Sequence, residues 1–355
     1  MPRPYQILMM GASYGSLLAV KLLAAGNAVK LVCLPAEAEL INAEGVRVRF
    51  PVKGRDGLAE VDSRKLPGTL SAERPEAVHP AHYDLVVLAM QEPQYRSPGV
   101  RELLAAVAKA RIPCMSIMNM PPLPYLARIP SVSLDASRDC YTDPTVWDGF
   151  DPALMTLCSP DPQAFRPPEE KVNVLQVRLP TNFKAAAFDS AAHTAILRQL
   201  EADIEAARFD IGGDQIKLPV KLKVHDSIFV PLAKWSMLLT GNYRCVQKDG
   251  MRSIKDAVHS DIETSRSIYS WVGELCKALG AAEQDLVPFE KYANAALSLA
   301  NPSSAARALA NGASNIERVD RLVQATARQQ GMQSAAIDQT VATVDAWLEL
   351  NRRNP

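Results

Sequence analysis

The first half of the chain alternates short apolar runs with amphipathic helical patterns. Four apolar runs predict buried strands, at residues 5–10, 29–34, 83–90 and 114–118. Residues 15–26 and 100–110 carry apolar positions at helical spacing, which predicts helices between the strands. Strands that alternate with crossover helices form a parallel sheet.

The rest of this half is less regular. Residues 45–50 predict a further strand, whereas residues 51–82, rich in proline, glycine and charge, are interpreted mostly as a surface connection. Proline recurs over residues 121–168, where we expect edge strands and loops. A strand at 172–177 and a helix at 191–208 follow.

After Pro219 the pattern changes to long helical segments, from about residue 229 to 350. A chain of 355 residues is long enough for two separate cores. We therefore predict an α/β fold with a Rossmann-like dinucleotide-binding domain over residues 1–215. An all-helical domain for substrate binding or dimerisation would follow over residues 216–355.

A turn of small residues joins the first strand to the first helix. Gly11 lets the backbone turn off the strand, and Gly15 permits close approach of a pyrophosphate, which the N–H groups of the helix favour. Ser13 occupies the place of the middle glycine of Gly-x-Gly-x-x-Gly, and Gly15 comes one residue early. We predict that Gly11, Ser13, Gly15 and Ser16 bind a dinucleotide; a turn that binds no nucleotide is the alternative.

The charge balance and the cysteine pattern limit the kinds of ligand and partner that we expect for this chain. Lys plus Arg and Asp plus Glu both number 39, so no net charge draws the protein to nucleic acid or to an anionic membrane. The six cysteines are scattered, without metal-ligand or disulfide spacing. No apolar run reaches about 18 residues and no signal core opens the chain. We expect a cytoplasmic protein with a small-molecule substrate and no metal.

Several segments resemble the ketopantoate reductase family in order and approximate spacing. They are the opening turn, the strand that ends at Met90, Ile117-Met118-Asn119, Leu232-Ala233-Lys234-Trp235, Pro302-Ser303-Ser304 and the helix 315–331. The resemblance covers most of the chain and is that of a divergent member. It implies a Rossmann domain, a helical domain and reduction of a 2-oxo acid with NADPH.

The resemblance also implies roles for individual residues. Lys234 matches the catalytic lysine, Asn119 the asparagine near the nicotinamide, and Asn242 one substrate-side asparagine. Ser303, or its neighbour Ser304, matches the substrate-binding serine. Apart from the family, Lys234 is suited to protonate the alkoxide that hydride addition creates.

Local alternatives stand beside these roles. Lys234 could be a surface lysine, and Asn242 could end a helix, because Gly241 leaves the continuity of that helix uncertain. Ser303 follows Asn301-Pro302 and could be a helix N-cap. Asn119, before two prolines, could belong to a turn.

The sequence departs from the family pattern at positions that bind the substrate and at positions that bind the cofactor. Leu238 replaces a substrate-side asparagine, and Asn315 corresponds to the substrate-contacting glutamate, so we expect a less polar pocket and a substrate other than ketopantoate. The cations that bind the 2′-phosphate correspond to Leu34 and Gln91. NADP is the cofactor that the resemblance implies, and NAD stays open, with Glu37 and Glu39 near the second strand.

The sequence thus predicts an NAD(P)H-dependent reductase of a small 2-oxo acid or related carbonyl compound. Lys234 would be catalytic, Asn242, Ser303 and Asn315 would bind substrate, and Gln91 and Asn119 would join the turn in binding cofactor. An imine or amino-acid dehydrogenase on the same scaffold and a ligand-binding relative without turnover are the alternatives. A homodimer is left open.

Overall fold

The computed structural model of the chain describes residues 3–353 and divides into two compact units. The first comprises the residues up to Met90, Gln94–Met118 and Val146–Asp226, and the second comprises Gln91–Pro93, Asn119–Thr145 and the chain from Ser227 onward. The main break therefore follows Asp226 rather than residue 215, because the strand before it belongs to the first unit. Residues 1–2 and 354–355 of the predicted domains lie outside the described residues.

The strands of the described chain are numbered in order of sequence. They are β1 Gln6–Met10, β2 Ala28–Val32, β3 Arg47–Pro51, β4 Leu58–Asp62, β5 Thr69–Glu73, β6 Leu85–Leu88, β7 Cys114–Ser116, β8 Met155–Ser159, β9 Gln163–Phe165, β10 Val174–Leu179, β11 Phe183–Ala186, β12 Phe209–Ile211, β13 Asp214–Ile216, β14 Leu222–His225, β15 Val246–Gln247 and β16 Gly250–Met251.

The α-helices are numbered in the same way. They are α1 Gly15–Ala24, α2 Pro35–Glu44, α3 Val100–Ala110, α4 Leu123–Leu126, α5 Leu134–Arg138, α6 Ala191–Ala206, α7 Lys234–Met237, α8 Ile254–His259, α9 Ile262–Leu279, α10 Phe289–Ala296, α11 Ser304–Ala310, α12 Val319–Gln329 and α13 Ala335–Arg353.

The first unit is built on one large sheet with the strand order β14-β11-β8-β7-β6-β1-β2-β5. The neighbouring strands β5, β2, β1, β6, β7 and β8, in this order across the sheet, are all parallel. Strand β8 then pairs antiparallel with β11. The order reverses at β1, which lies between β2 and β6 although the chain reaches β6 much later. This is the doubly wound arrangement, whose ligand crevice lies at the carboxyl ends of the strands beside the reversal. The predicted Rossmann-like fold is confirmed.

Two regions of the first unit differ from the prediction. The segment interpreted as a surface connection contains β4 and β5, and β5 extends the main sheet beside β2. Both strands are only partly buried, so they lack the continuous apolar run that marks a buried strand. In contrast, β8 was expected at an edge, yet it is buried throughout and pairs with β7 and β11.

Helix α1 packs into the first unit on nearly all sides. Every residue from Gly15 to Leu23 is buried, including Lys21. Full burial of a leucine contributes roughly 1.5–3 kcal/mol, so the leucines of α1 fix the helix firmly behind the turn. The Lys21 ammonium donates hydrogen bonds of 3.1 Å to the carbonyl groups of Leu218 and Pro219. Burial lowers the pKa of Lys21 to about 7.

The second unit is helical apart from the short β15–β16 hairpin. Its central stretch runs from Val230 to Cys245 without an extended residue. A 3-10 turn, Val230–Ala233, leads into α7, which continues as a π-helix over Leu238–Asn242 and ends in the 3-10 turn Tyr243–Cys245. The prediction that the second half of the chain is mainly helical is confirmed.

Candidate functional site

The central helical stretch continues through Gly241, which settles the continuity that the sequence left open. A π-helix widens the turn and disturbs the regular pairing of backbone groups. Here the Tyr292 hydroxyl donates a hydrogen bond of 3.1 Å to the Met237 carbonyl. A Cβ at Gly241 would lie 2.0 Å from that hydroxyl oxygen, so glycine is needed for its approach. Lys234, Leu238 and Asn242 follow one another at intervals of four residues along this stretch.

A small pocket lies in the second unit beside the π-helix. It is lined by Gln91, Asn119, Leu238, Asn242, Tyr243, Ser304, Ala305, Ala308, Ile316 and Glu317. The pocket thus brings together three residues predicted for the site, Gln91, Asn119 and Asn242. Its volume of about 20 Å³ is room for about one water molecule. Exposed lining side chains such as Gln91 must therefore move when a larger molecule enters.

Glu317 is the buried acid of this pocket. Its side chain accepts hydrogen bonds from Asn119 Nδ2 at 3.1 Å and from the Glu92 backbone N–H at 3.4 Å. The pKa of the Glu317 carboxyl is raised to about 7, chiefly by burial and to a smaller degree by the charge of Glu92, whereas the hydrogen bond from Asn119 acts in the opposite sense. Near neutral pH this carboxyl can therefore either accept or donate a hydrogen bond.

A second buried acid, Glu92, contacts Glu317 through its backbone N–H. Only 2% of Glu92 is exposed. Its carboxylate accepts hydrogen bonds from the backbone N–H of Thr142 at 3.0 Å and from the Thr142 hydroxyl at 2.9 Å. Hydrogen bonds of this kind hold a buried carboxylate in place, so the peptide N–H that contacts Glu317 is also fixed.

Tyr243 holds the backbone around Glu317. Its hydroxyl donates to the Glu317 carbonyl and accepts from the Val319 N–H at 3.0 Å. The next residue of that segment, Arg318, forms ion pairs with Asp320 and Asp345. Glu317 therefore lies in a buried segment that hydrogen bonds and ion pairs hold in place, which favours a fixed position of its side chain.

Ser303 is a helix N-cap rather than a pocket residue. Its hydroxyl accepts from the Ala306 N–H at 3.1 Å and donates to the Asn242 carbonyl at 2.6 Å. Only 2% of Ser303 is exposed. The neighbouring Ser304 lines the pocket, so the second of the two predicted serines is the one placed to contact a ligand.

Lys234 begins α7, one helical turn before Leu238, and is half-buried. It lies outside the pocket lining itself, although Leu238 and Asn242 on the same stretch belong to the lining. Its ammonium is carried on a side chain long enough to reach over one helical turn.

The predicted nucleotide turn lies in the first unit, at the carboxyl end of β1. Gly11 has φ +110°, a conformation that favours glycine. A Cβ at Gly11 would lie 2.8 Å from the Ala89 carbonyl oxygen, and one at Gly15 would lie 2.7 Å from Met9 Sδ. Gly11 is therefore required by its backbone conformation and by packing against the residue after β6, whether or not a nucleotide binds. At Gly15 a larger residue would have to displace the buried Met9 side chain.

The exposed part of the turn and the start of α1 have features that suit an anion. Ser13 is exposed, and the N-cap residue of α1, Tyr14, makes no side-chain hydrogen bond to the helix N–H groups. An α-helix that starts in this way presents N–H groups and partial positive charge to an anion. Ser16 is 4% exposed and donates its hydroxyl to the Ala12 carbonyl, so it shapes the turn rather than offering a ligand contact.

The residues after β2 offer no unpaired cation for a 2′-phosphate in the described chain. Leu34 is 75% exposed, and Glu37 in the first turn of α2 forms an ion pair with Arg166. Burial and then the Glu37 carboxylate raise the pKa of the Cys33 thiol to about 12, and Arg166 acts in the opposite sense. The pair thus lies close to the end of β2.

A larger open groove of about 600 Å³ lies in the first unit at the start of α6. Arg198, which lines this groove, donates hydrogen bonds to the Asp226 carboxylate at 2.8 Å and to the Val224 carbonyl. The groove contains neither a predicted site residue nor a buried acid, so it is not the site of the proposed chemistry.

Across residues 3–353, no cluster of His, Cys, Asp and Glu side chains is arranged to hold a metal ion. Among the helices of the same residues, none has both the length and the apolar character that crossing a membrane requires.

Solved structures resemble the whole chain. A 2-dehydropantoate 2-reductase from Methylococcus capsulatus has 13% identity and a TM-score of 0.66, with 97% of this chain and 96% of that chain covered. A ketopantoate reductase from Ralstonia eutropha JMP134 has 15% identity and a TM-score of 0.64, covering 98% and 99%. The chain has the ketopantoate reductase fold.

A third solved structure with this fold is D-mandelate dehydrogenase in complex with NADH. It has 12% identity and a TM-score of 0.60, and the comparison covers 97% of this chain and 99% of that chain. No family model matches the sequence, and no curated protein matches it. At these identities the likeness concerns the ketopantoate reductase fold.

The structure places a carboxyl in the pocket two residues after Asn315, at Glu317. Asn315 is half-exposed and donates to the Ser314 hydroxyl, whereas Ile316 and Glu317 line the pocket. The expectation that the pocket lacks a carboxylate is therefore wrong, and the expectation of Leu238 in the lining holds.

Sequence reasoning missed Glu317 and Glu92 because it aligned the segment by spacing alone. The signal that could have found Glu317 is an acid between two apolar positions, Ile316 and Val319, which favour a buried segment.

Proposed function

We propose that this protein is an NAD(P)H-dependent reductase of a small 2-oxo acid or a related carbonyl compound. The observation that carries the proposal is the pocket in which Asn119, Asn242 and Glu317 converge beside the helical stretch that begins at Lys234. A pocket with a few convergent polar groups and a carboxyl of raised pKa is typical of an enzyme site.

In this proposal the reduction divides into a hydride step and a proton step. The turn Gly11–Ser16 would hold a reduced nicotinamide dinucleotide, which would supply the hydride that the carbonyl carbon accepts. Lys234 stabilises the negative charge that develops on the carbonyl oxygen and gives that oxygen a proton, so that the product is a 2-hydroxy acid. The lysine then takes up a proton from water.

The remaining pocket residues position the substrate. The Asn242 amide and the Ser304 hydroxyl offer hydrogen bonds to the carboxylate or the carbonyl oxygen. Glu317 accepts from a substrate hydroxyl when ionised and donates when protonated. Leu238 lines the same pocket and favours an apolar substituent, which supports a substrate other than ketopantoate.

In the first unit, the turn Gly11–Ser16 would hold the pyrophosphate of the cofactor. Its exposed Ser13 and the uncapped start of α1 support this role. Asn119 donates to Glu317, which suits it to orient the acid of the pocket, and its proposed contact with the nicotinamide end of the cofactor stays a prediction.

The test is a titration of the purified protein with NADH and NADPH, followed by nucleotide oxidation with a panel of 2-oxo acids. Binding of one nucleotide and turnover of an oxo acid support the proposal. Turnover only when ammonia is added would support the imine or amino-acid dehydrogenase, and binding without turnover would support a ligand-binding relative. Light scattering of the same sample tests whether the protein forms the homodimer that the sequence left open.

A further inference from the structure

The carboxyl end of β2 is the place where a doubly wound sheet reads the adenosine ribose of a dinucleotide. An acid there binds the 2′-hydroxyl of NADH, and an arginine accommodates the 2′-phosphate of NADPH. In this chain β2 ends at Val32, and the residue nearest to the usual arginine position is the exposed Leu34. Neither preference therefore comes from the strand end itself.

Two carboxylates border this strand end. Glu37 lies in the first turn of α2, and its side chain is 13% exposed. Glu73 is the last residue of β5 and lies in register with Val32, and the Cys33 N–H donates to its carbonyl at 3.1 Å. The Glu73 carboxylate accepts from the Arg74 N–H at 3.0 Å, so it turns back toward its own strand end.

The cation near Glu37 comes from a distant part of the chain. The Tyr14 hydroxyl donates to the Pro162 carbonyl at 2.6 Å, and four residues later Arg166 pairs with Glu37. The segment 162–166 therefore runs from the first turn of α1 to the first turn of α2. Arg166 is 28% exposed, and its charge is matched by the Glu37 carboxylate.

This pairing disfavours a 2′-phosphate and leaves an acceptor for a hydroxyl. A phosphate would have to displace Glu37 from Arg166 and would then lie beside the carboxylates of Glu37 and Glu73. A ribose hydroxyl needs only a carboxylate oxygen, and hydrogen bonds to charged groups are the strong ones. Arg166 serves to hold that carboxylate in one orientation.

We propose that the Glu37–Arg166 pair makes this protein select NADH over NADPH, with Glu37 accepting the ribose 2′-hydroxyl. The inference rests on the proposed function, since it needs a dinucleotide in the first unit. A hydrogen bond to a charged group corresponds to roughly tenfold to hundredfold in affinity, which sets the expected preference.

The experiment titrates the full chain with NADH and with NADPH by fluorescence or calorimetry. The variants are Glu37→Gln, Arg166→Gln and, as control, Glu44→Gln, which removes an ion pair with Lys171 at the other end of α2. We expect wild type and Glu44→Gln to bind NADH about ten times or more tighter than NADPH. Glu37→Gln releases Arg166 and should reduce or reverse that ratio. Arg166→Gln removes the contact that orients Glu37, so it should weaken NADH binding and leave NADH the tighter ligand of the two.

The outcomes separate the inference from the proposed function. Equal or tighter binding of NADPH by the wild type overturns the inference and leaves a nicotinamide-dependent reductase. An unchanged ratio in Glu37→Gln also overturns it, with the thermal midpoint of each variant showing that the fold is intact. If neither nucleotide binds to the wild type, the inference and the proposed function are both wrong. Arg74→Gln tests the exposed arginine beside Glu73. A loss of NADPH affinity alone in that variant would show that Arg74 receives the 2′-phosphate and would contradict the selection assigned to the Glu37–Arg166 pair.

Discussion

The Nδ2 atom of Asn119 donates a hydrogen bond of 3.1 Å to Oε2 of Glu317, a residue 198 positions later in the chain. Asn119 directly follows the buried segment 112–118, and Glu317 lies in the segment whose backbone is hydrogen-bonded to the Tyr243 hydroxyl. The bond therefore joins these two segments. Because Glu317 is buried and its pKa lies near 7, a change in its protonation acts directly on the amide of Asn119. Proton binding and the position of this amide are therefore coupled.

The first prediction is a pH dependence of stability that Glu317 creates. Burial raises its pKa from 4.5 to about 7, so between these values the folded chain holds a proton that the unfolded chain releases. The free energy of unfolding should fall as the pH rises from about 4.5 through about 7, by up to about 3 kcal/mol. Glu317→Gln should lack this fall in denaturant titrations at several pH values.

Glu263→Gln, at an exposed position of α9, is the matched control and should keep the wild-type dependence. An identical slope in wild type and Glu317→Gln would show that Glu317 titrates near its ordinary value.

The second prediction concerns the proton step. Lys234→Ala should lower kcat by about a hundredfold or more and leave nucleotide affinity nearly unchanged, because it removes the group that protonates the alkoxide. Lys255→Ala, at an exposed position of α8, should have wild-type kinetics. Full activity of Lys234→Ala would remove this lysine from the mechanism.

The third prediction separates the two neighbouring serines. Ser303→Ala should lower the free energy of unfolding by about 1 kcal/mol, since it removes the N-cap of α11. Ser304→Ala should leave stability nearly unchanged and raise KM, because its hydroxyl lines the pocket. Thermal denaturation and steady-state kinetics of both variants make the comparison, and a destabilised Ser304→Ala with unaltered KM would reverse the assignment.

The fourth prediction concerns the turn after β1. Gly15→Val would press its side chain against Met9 and Ala89, so we expect lower stability and not only lost nucleotide binding. Ser13→Glu is the cleaner variant because Ser13 is exposed, and its carboxylate should repel the pyrophosphate while the thermal midpoint stays unchanged. Ser270→Glu, an exposed position of α9, is the control. Undiminished NAD(P)H affinity in Ser13→Glu would place the nucleotide elsewhere.

The fifth prediction concerns substrate choice. Leu238 is 2% exposed in the pocket lining, and Leu238→Asn should raise kcat/KM for a hydroxyl-bearing acid such as ketopantoate, relative to alkyl 2-oxo acids, by about tenfold or more. Leu238→Met keeps the volume and the apolar character, so it should keep the wild-type preference. A wild type that already prefers ketopantoate would contradict this interpretation of Leu238.

The sequence predicted those parts of the fold whose signal is local. The strand β1, the turn and α1 follow from one apolar run, two glycines and one helical pattern, and the long helices after Ser227 follow from their periodicity. The strand β5 could not be predicted in this way, because it is partly exposed and gains its place only by pairing with β2.

The same limit applies to the site. Asn119 and Asn242 were found from motifs, whereas Glu317 depends on contacts with Glu92 and Tyr243 that are distant in sequence. The resemblance aligned Asn315, two residues before Glu317, with the family's glutamate, and so predicted a pocket without a carboxylate.

The π-helix sets the direction in which Asn242 points relative to Lys234. In an α-helix of 3.6 residues per turn, a residue eight positions further on lies about 80° around the axis. A π turn holds more residues, so each one advances by a smaller angle, and the stretch Leu238–Asn242 turns Asn242 back toward the side of Lys234. If the same eight residues formed a regular α-helix, Asn242 and Tyr243 would be rotated by about 80° away from this side. The widened turn between Lys234 and Asn242 is therefore as much a part of the site as the identity of the two residues.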